Sequence, residues 1–405
     1  MSNDQEIHHY HQWAALLVFL LLAFGLIFIF REQPHQDPTK NTVVVIEEQV
    51  VEEELPITRG AVRARWLIAG EVFWGRQIEV LAENSANPYK YPFAGFQTFD
   101  RGDYDAWIGQ LECPVTTKTI PFSIQANQLL FNCSPDYLEE FAKWFDAVSL
   151  ANNHMDNVDF EVGLLETRQH LEDAEIQHYG HYDPAVIDDL CEIISLPVAI
   201  DLSDGSSETA NLPVAMCGYN YVFREPRPSE IEEIAKYSKY FFTIISPQMG
   251  AEYVAAADSL KIRTYRSMID QGADMVIASH PHWVQNTEVY EGKLIMYSVG
   301  NWLFDQEWSE EVKRGAALDL SIGAKYDDNL KGWLELGEEC FKYQDSCLTK
   351  AEKRGLEKPV FTLKHELVSG YHENGQTRLA PESVEQLNLT RTNWAETKVK
   401  INPHD

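Results

Sequence analysis

The 405-residue chain is strongly acidic, with 63 Asp and Glu residues against 33 Lys and Arg residues and a formal net charge of −30. This charge argues against a nucleic-acid-binding protein, because no basic patch is available to neutralise phosphates. With 44% hydrophobic residues the chain can bury a sizeable core, and its length suits one large domain with appendages or two domains.

An uncharged apolar run at residues 13–30 follows a short tail, residues 1–12. As a helix it would be about 27 Å long, close to the hydrocarbon thickness of a bilayer. The run lacks an Ala-x-Ala-like cleavage site, so it predicts an uncleaved single-span anchor rather than a signal peptide or a buried helix. Residues 31–64 are polar and acidic and are predicted to form a stalk. Because Arg31 and Lys40 follow the run, the charge rule taken alone places the domain in the cytoplasm.

From residue 65 on, short apolar runs alternate with amphipathic segments, which favours an α/β fold. Strands are predicted at residues 66–69, 104–111, 147–150, 192–200, 214–217, 241–245, 275–278, 294–299, 315–323 and 359–368. Helices are predicted from Ser134 as N-cap, at 163–174, at 229–240 with the capping box Ser229-x-x-Glu232, and at about 254–271. We expect one domain at residues 65–323 and a C-terminal extension at 324–405, partly packed on it.

The most specific stretch of the sequence surrounds His280 and His282. Pro281 lies between them and follows a predicted buried strand, so the chain leaves regular pairing there and both imidazoles fall on loop positions. His-Pro-His at a strand end could hold metal ions. Taken alone, such a motif is more often local turn chemistry.

Other predicted strands also end in polar side chains, and ligands of α/β sheets collect at the carboxyl ends of strands. The residues at these ends are Glu71, Glu112, Asn153, His154, Gln248, His280 and His282. Carboxylates, an amide oxygen and imidazoles suit Zn²⁺, Mn²⁺ or Fe, and a bridged pair of such ions can generate hydroxide for hydrolysis. His154 could then protonate a leaving group.

Five sequence motifs carry a resemblance to a known family. They are Ala69-Gly70-Glu71-Val72 with Gly75-Arg76, Leu111-Glu112-Cys113-Pro114, Leu150-Ala151-Asn152-Asn153-His154 with Asp156, Gly250-Ala251-Glu252-Tyr253, and the run from Gly272-Ala273-Asp274 through Ser279-His280-Pro281-His282 to Gly300-Asn301 and Phe304-Asp305-Gln306. Over about residues 66–310 the chain resembles the CapA family, the capsule and poly-γ-glutamate synthesis proteins, which have a calcineurin-like metallophosphatase fold.

The resemblance implies a four-layer α/β/β/α sandwich, a membrane anchor, and a domain on the extracytoplasmic face of a bacterial envelope. It also makes a Cys340–Cys347 disulfide more plausible; the count of six cysteines alone does not decide the compartment. It implies one or two divalent ions (Mn, Zn or Fe) and a catalytic His154. The implied metal ligands are Glu71, Glu112, Asn153, Gln248, His280 and His282. Substrate binding is assigned to Arg76 and Asn301.

Two positions depart from the family's pattern. Its first motif usually reads Gly-Asp, and here it reads Gly70-Glu71, which moves the carboxylate by roughly 1.5 Å. Where the family usually has His-Trp-Gly, this chain has Gln248-Met249-Gly250, and a neutral amide oxygen is a poor ligand for zinc-like ions.

Two hypotheses about the function follow from these departures. The first is a membrane-anchored protein for synthesis, export or handling of an envelope polymer such as poly-γ-glutamate, with a partly degenerate metal site; its partners are the membrane and an anionic polymer or polymer-synthase subunits. The alternative is an active metal-dependent hydrolase of an envelope polymer or phosphoester.

Overall fold

The computed structural model describes residues 57–402. The predicted tail, the predicted anchor at 13–30 and most of the predicted stalk lie outside the described residues. Within residues 57–402, no helix is both long and apolar enough to span a bilayer. The first strand begins at Arg59, six residues before the predicted start of the domain.

The described chain forms a mixed α/β fold, as predicted. Its strands are β1 (Arg59–Val72), β2 (Ala106–Leu111), β3 (Ala147–Ser149), β4 (Gln177–Tyr179), β5 (Cys191–Leu202), β6 (Ser207–Asn220), β7 (Thr243–Gln248), β8 (Met275–Ile277), β9 (Thr287–Tyr290), β10 (Lys293–Met296), β11 (Asn301–Leu303), β12 (Arg314–Lys325), β13 (Thr362–Glu373) and β14 (Gln376–Leu379). Its α-helices are α1 (Arg76–Glu83), α2 (Phe122–Gln128), α3 (Leu138–Phe141), α4 (Glu161–Asp173), α5 (Pro228–Glu232), α6 (Ile234–Ser238), α7 (Ser259–Asp270), α8 (Glu310–Lys313), α9 (Asp328–Lys342), α10 (Gln344–Arg354), α11 (Glu382–Thr392) and α12 (Trp394–Ile401). Short 3-10 helices lie at Pro88–Phe99, Arg101–Asp103, Pro135–Tyr137 and Ile187–Asp189.

The strands belong to a 14-stranded sheet that branches at β1. The first half of β1 pairs with β5, and its second half pairs in parallel with β2. One limb therefore continues through β2, β3 and β4, and the other through β5, β6, β7, β8, β10 and β9. Within each limb the strands that lead to the predicted site residues run parallel, so their carboxyl ends share one edge.

Alternation along the strands divides the core into three hydrophobic clusters. In β1, Trp66 and Ile68 face a middle cluster, whereas Leu67 faces an outer one. In β7, Ile244 faces the same middle cluster, and Ile245 faces a second outer one. Side chains of successive strand residues point to opposite faces, so the middle cluster receives residues from both limbs and each limb has an outer cluster of its own.

Two helix starts differ from the sequence prediction. The predicted box Ser229-x-x-Glu232 does not form; the backbone N–H of Arg227 donates to Glu230 at 3.0 Å, because Pro228 occupies the first helical position. Helix α7 begins at Ser259 rather than near 254, since the carboxylate of Asp258 accepts from the N–H of Lys261 at 2.9 Å and caps it.

The C-terminal extension is part of the sheet rather than only packed on it. Strand β13 pairs with β12 over ten residue pairs from Arg314↔Tyr371 to Gly323↔Thr362, and the predicted boundary at 323 falls inside β12. The extension also contains α9 to α12, which were not predicted.

All six cysteines are paired. The Cys340–Cys347 disulfide suggested by the resemblance is present. It is accompanied by Cys113–Cys133 and Cys191–Cys217. The second of these joins the neighbouring strands β5 and β6, and the first ties the end of β2 to the segment before Ser134.

Candidate metal centre

Five parallel strand ends place the predicted site residues around one point. Glu71 lies at the end of β1, Glu112 follows β2, Asn153 and His154 follow β3, Gln248 ends β7, and His280 and His282 follow β8. These side chains are buried except that of His154, which is 14% exposed; those of Glu71 and Glu112 are 0% exposed. Hydrogen bonds and close approaches link the two carboxylates, Gln248, His154 and His282 into a single polar cluster.

Asn152, which was not among the predicted site residues, lies at the middle of this cluster. Its Oδ1 accepts from the backbone N–H of His154 at 2.7 Å, so its Nδ2 faces the carboxylates. This Nδ2 donates to Glu112 Oε2 at 2.9 Å and to Gln248 Oε1 at 2.9 Å. It also lies 3.4 Å from Glu71 Oε2. The orientation of one amide therefore fixes the orientation of the next.

Protein donors surround the carboxylate of Glu71. Because Gln248 Oε1 accepts from Asn152, the Gln248 Nε2 group points at Glu71, 3.0 Å from Oε1 and 3.1 Å from Oε2. The backbone N–H of His280 donates to Oε1 at 2.7 Å. The hydroxyl of Ser279 lies between Glu71 Oε1 and Gln110 Oε1. A buried carboxylate supplied with such donors is stable without a metal ion.

The carboxylate of Glu112, unlike that of Glu71, has one oxygen that accepts no hydrogen bond from the described residues. Its Oε2 is held by Asn152, but its buried Oε1 has no hydrogen-bond partner among the described residues. That oxygen lies 3.7 Å from His282 Nε2 and 3.9 Å from His154 Nε2. Burial, followed by the nearby charge of Glu71, raises the pKa of Glu112 well above its ordinary value. The group therefore requires a cation or a proton at this position.

The tautomer of each of these two histidines follows from a neighbouring asparagine. Asn157 Oδ1 accepts from the N–H of Phe131, so His154 Nδ1, 2.9 Å away, must be a donor. Asn301 Nδ2 donates to the carbonyl of Val312, so its Oδ1 accepts from His282 Nδ1 at 2.7 Å.

In neutral histidines this leaves the lone pairs on the two Nε2 atoms, and both lie close to Glu112 Oε1. Burial lowers the pKa of His154 to about 4, which keeps its imidazole neutral at physiological pH.

Two further buried polar atoms lack partners within the described part of the chain: Asn153 Oδ1 and His280 Nδ1. Burial, with the charges of His282 and Lys261, lowers the pKa of His280 well below its ordinary value. The half of the cluster around Glu112 thus has the donor chemistry of a metal site, and the half around Glu71 does not. As the side chains stand in residues 57–402, no three His, Cys, Asp or Glu groups are close enough to share one metal ion.

The two predicted substrate-binding residues have other contacts. The guanidinium of Arg76 pairs with Asp305 and lies over the rings of Phe73, Phe131 and Phe304. Asn301 is fully buried and orients His282 as described above. Asn301 therefore positions a candidate ligand, and its contact with substrate stays a prediction.

Aromatic side chains enclose the two imidazoles. The ring of Phe131 stacks on His154 with centroids 3.9 Å apart, and Tyr253 stacks on His282 at 5.7 Å. Trp308, which is 62% exposed, lies edge-on to Tyr253. Each imidazole thus packs against an aromatic ring on one face.

Comparison with known proteins assigns the family. The sequence profile described as "Bacterial capsule synthesis protein PGA_cap" matches residues 65–190 and 203–306, which together are more than half of the chain. The chain belongs to this family. The membership confirms the resemblance to CapA proteins that the motifs carried.

Individual relatives match over a shorter stretch. The "PGA biosynthesis protein CapA" of Bacillus subtilis (strain 168) is 38% identical over 66 residues, 16% of this chain and 17% of that protein. The "Capsule biosynthesis protein CapA" of Bacillus anthracis is 35% identical over 66 residues, 16% of each chain. The match thus spans about a sixth of the length of these curated relatives. The crystal structure of TT1561 from Thermus thermophilus aligns with a TM-score of 0.33 and 9% identity over 63% of this chain and 94% of that one, a likeness too low to support an argument.

Proposed function

We propose that this chain is a membrane-anchored, extracytoplasmic protein that handles a capsular or envelope polymer such as poly-γ-glutamate, with a partly degenerate metal centre. One observation carries the proposal: both oxygens of the Glu71 carboxylate already accept hydrogen bonds from donors of the protein. The family resemblance implies that carboxylate as a metal ligand, and hydrogen-bond donors stand where the ion would bind. Family membership and the names of the two Bacillus relatives support the link to capsule polymer.

Two structural features support the other parts of this proposal. Three disulfides are typical of proteins in oxidising compartments, which favours the extracytoplasmic face over the side that the charge rule indicates. The middle cluster shared by both limbs, with helices against each outer cluster, supports a four-layer metallophosphatase-like sandwich.

The polymer contact that we propose involves Arg76. Because Asp305 neutralises its guanidinium, a carboxylate of the polymer would have to replace Asp305. A local exchange of this kind suits a chain whose net charge of −30 repels a polyanion elsewhere. Polymer-synthase subunits are the further partners we propose.

The alternative function is metal-dependent hydrolysis. It is favoured by the two Nε2 lone pairs that converge on Glu112 Oε1. Glu112, His282 and Asn153 would hold a divalent ion, whose chemistry is to polarise a bound phosphoryl or carbonyl group or to lower the pKa of a bound water. To act as the predicted proton donor, His154 would first have to take up a proton at Nε2, because its Nδ1 hydrogen is held by Asn157 and burial lowers its pKa to about 4.

Two assays on the purified full-length chain in detergent separate the hypotheses. The first is retention on immobilised poly-γ-glutamate, and the second is hydrolysis of bis-p-nitrophenyl phosphate with Mn²⁺ or Zn²⁺. We expect retention, and no turnover above that of the His282→Ala variant. Turnover that disappears in His282→Ala, without retention on the polymer, would establish the hydrolase instead.

A further inference from the structure

We propose that the amino-end cavity, a cleft lined by Glu175, Glu192 and Tyr343 among others, binds a basic segment of a partner protein through lysine or arginine side chains. The cavity lies where β3 and β4 begin, at the opposite end of these strands from the candidate metal centre. The inference therefore concerns a separate surface. It is independent of the polymer role and would stand if that role were refuted.

Two neighbouring cavities form this surface. The amino-end cavity encloses about 860 Å³ between the start of β4, the first half of β5 and the turn that joins α9 to α10. A second cavity of about 720 Å³ lies beside it, and Glu192, Tyr343 and Gln344 line both. The side chain of Tyr343 is 66% exposed. A segment that crosses Tyr343 can therefore place one side chain in each cavity.

The turn that carries Tyr343 is held at both ends. The Cys340–Cys347 disulfide joins the last turn of α9 to the first turn of α10. The N–H of Tyr343 donates to the carbonyl of Glu339 at 2.8 Å, and the carbonyl of Tyr343 accepts from the N–H of Cys347 at 2.9 Å. The backbone of Tyr343 is thus in place before a partner binds, which lowers the entropic cost of binding.

The charge of the surface selects a cationic occupant. Two lysines, Lys236 and Lys342, line the cavities. The carboxyl groups that line them are more numerous and belong to Asp146, Glu172, Glu175, Asp188, Glu192 and Asp345. An exposed tyrosine beside carboxylates suits an ammonium or guanidinium group, which forms ion pairs with the acids and a cation–π contact with the ring.

The carboxyl group of Glu192 is left without an ion-pair partner among the described residues. Two basic side chains act on it through their charge, and each is bound to another acid. Arg168 pairs with Asp189 at 2.8 Å, and Lys236 pairs with Glu233 at 3.1 Å. Burial, with the charge of Asp189, raises the pKa of Glu192 to about 7. A lysine or arginine of a partner would stabilise the charged form of this group.

Other occupants fit this surface less well. Within residues 57–402, no three His, Cys, Asp or Glu side chains are placed to hold a metal ion. A small amine would fill one cavity and leave the other empty, whereas side chains on one face of an extended segment recur roughly every 6.5 Å and can enter both. A second copy of the chain, with its net charge of −30, would be repelled.

Binding of a labelled basic peptide tests the inference. The full-length chain in detergent is titrated into fluorescein-labelled tetra-arginine at about pH 8, where Glu192 is ionised, in about 0.15 M NaCl, and fluorescence anisotropy is measured. We expect saturable binding that the double variant Glu175→Gln with Glu192→Gln weakens about tenfold. The matched control, Glu83→Gln with Glu382→Gln, removes the same charge at exposed positions outside the surface and should change the affinity less than about twofold. Equal weakening in both double variants would show only a general attraction to an acidic chain and would overturn the proposal.

Two further measurements identify the occupant. Tyr343→Ala should weaken peptide binding about three- to fivefold, because the cation–π contact is lost. Tyr89→Ala, the same change at a tyrosine that is 50% exposed, is the control and should leave the affinity unchanged. Spermidine should displace the peptide only when present in large excess. An unchanged affinity in Tyr343→Ala, or displacement by an equimolar amount of spermidine, would exclude a segment that crosses Tyr343, and the proposal would fail.

Discussion

Replacing Gln248 with methionine tests whether its carboxamide stabilises the buried Glu71. Methionine has nearly the same length and volume but neither donates nor accepts a strong hydrogen bond. The side chain of Gln248 is 1% exposed, so water cannot replace the lost partners. The change leaves Glu71 with the N–H of His280 and the Ser279 hydroxyl, and it removes one acceptor from Asn152.

The expected magnitude follows from the bonds lost. The contact between Nε2 and the carboxylate is a hydrogen bond to a charged group, worth about 1.5–3 kcal/mol, and the bond from Asn152 is worth about 1 kcal/mol. Methionine recovers part of this through its apolar surface. We therefore expect Gln248→Met to lower the free energy of unfolding by about 2–4 kcal/mol.

Urea unfolding of the full-length chain with EDTA present, followed by tryptophan fluorescence, measures this loss. Gln97→Met, the same substitution at an exposed position, is the matched control and should change the free energy of unfolding by less than about 0.5 kcal/mol. A loss below about 1 kcal/mol in Gln248→Met would show that Glu71 does not depend on this amide. The argument that hydrogen-bond donors of the protein satisfy the Glu71 carboxylate would then fail.

Three further predictions concern other parts of the chain. Burial raises the pKa of Glu192 from 4.5 to about 7. Between these two pKa values the folded chain keeps a proton that the unfolded chain releases, so the stability of the protein falls as pH rises through this range. Glu192→Gln should therefore stabilise the protein by on the order of 2 kcal/mol at about pH 8 and leave it unchanged at about pH 4, as measured by urea unfolding. Asn301→Ala should weaken zinc binding about 10–100-fold in calorimetry, because His282 loses the acceptor that orients it; an unchanged affinity would contradict that role. Replacing Cys113 and Cys133 with serine should cost about 2–4 kcal/mol in unfolding measured without reductant, and equal stability would show that the bridge is not formed.

The strand ends that carry the predicted site residues could be located from the sequence, because each follows an apolar run that becomes a parallel strand. Their hydrogen bonding could not be found in this way. Asn152 stands next to the predicted Asn153, and only the turn after β3 decides which of the two faces the carboxylates. The sequence gives only a weak indication for Asn157: it is a polar residue three positions after His154, close enough in the chain to contact the imidazole. Ser279 lies within a family motif, but its role could not be found there, because its hydroxyl contacts Glu71 and Gln110 on strands far away in the sequence.

The fold class and most strands were predictable, because the pattern of apolar residues along a strand can be recognised without knowing which strands pair with it. The missed helix α9 also had a signal: Leu330, Trp333, Leu336 and Cys340 are buried and recur at helical spacing. Asp327 caps it by accepting from the N–H of Leu330 at 2.8 Å. The branching of the sheet at β1 was not predictable, because it depends on pairings between strands far apart in the sequence.

The position of β1 has a consequence for how the protein is made. Ala61 pairs with Lys325, and Glu71 lies opposite Asn301, so the first strand of the described chain finds these partners only after most of the chain has been synthesised. Such distant pairing slows folding and leaves strand edges exposed meanwhile. The cluster around Glu71 and Glu112 can be completed only after His282 has been synthesised, since its Nε2 lies 3.7 Å from Glu112 Oε1. A product truncated before His280 would therefore lack both histidines that follow β8.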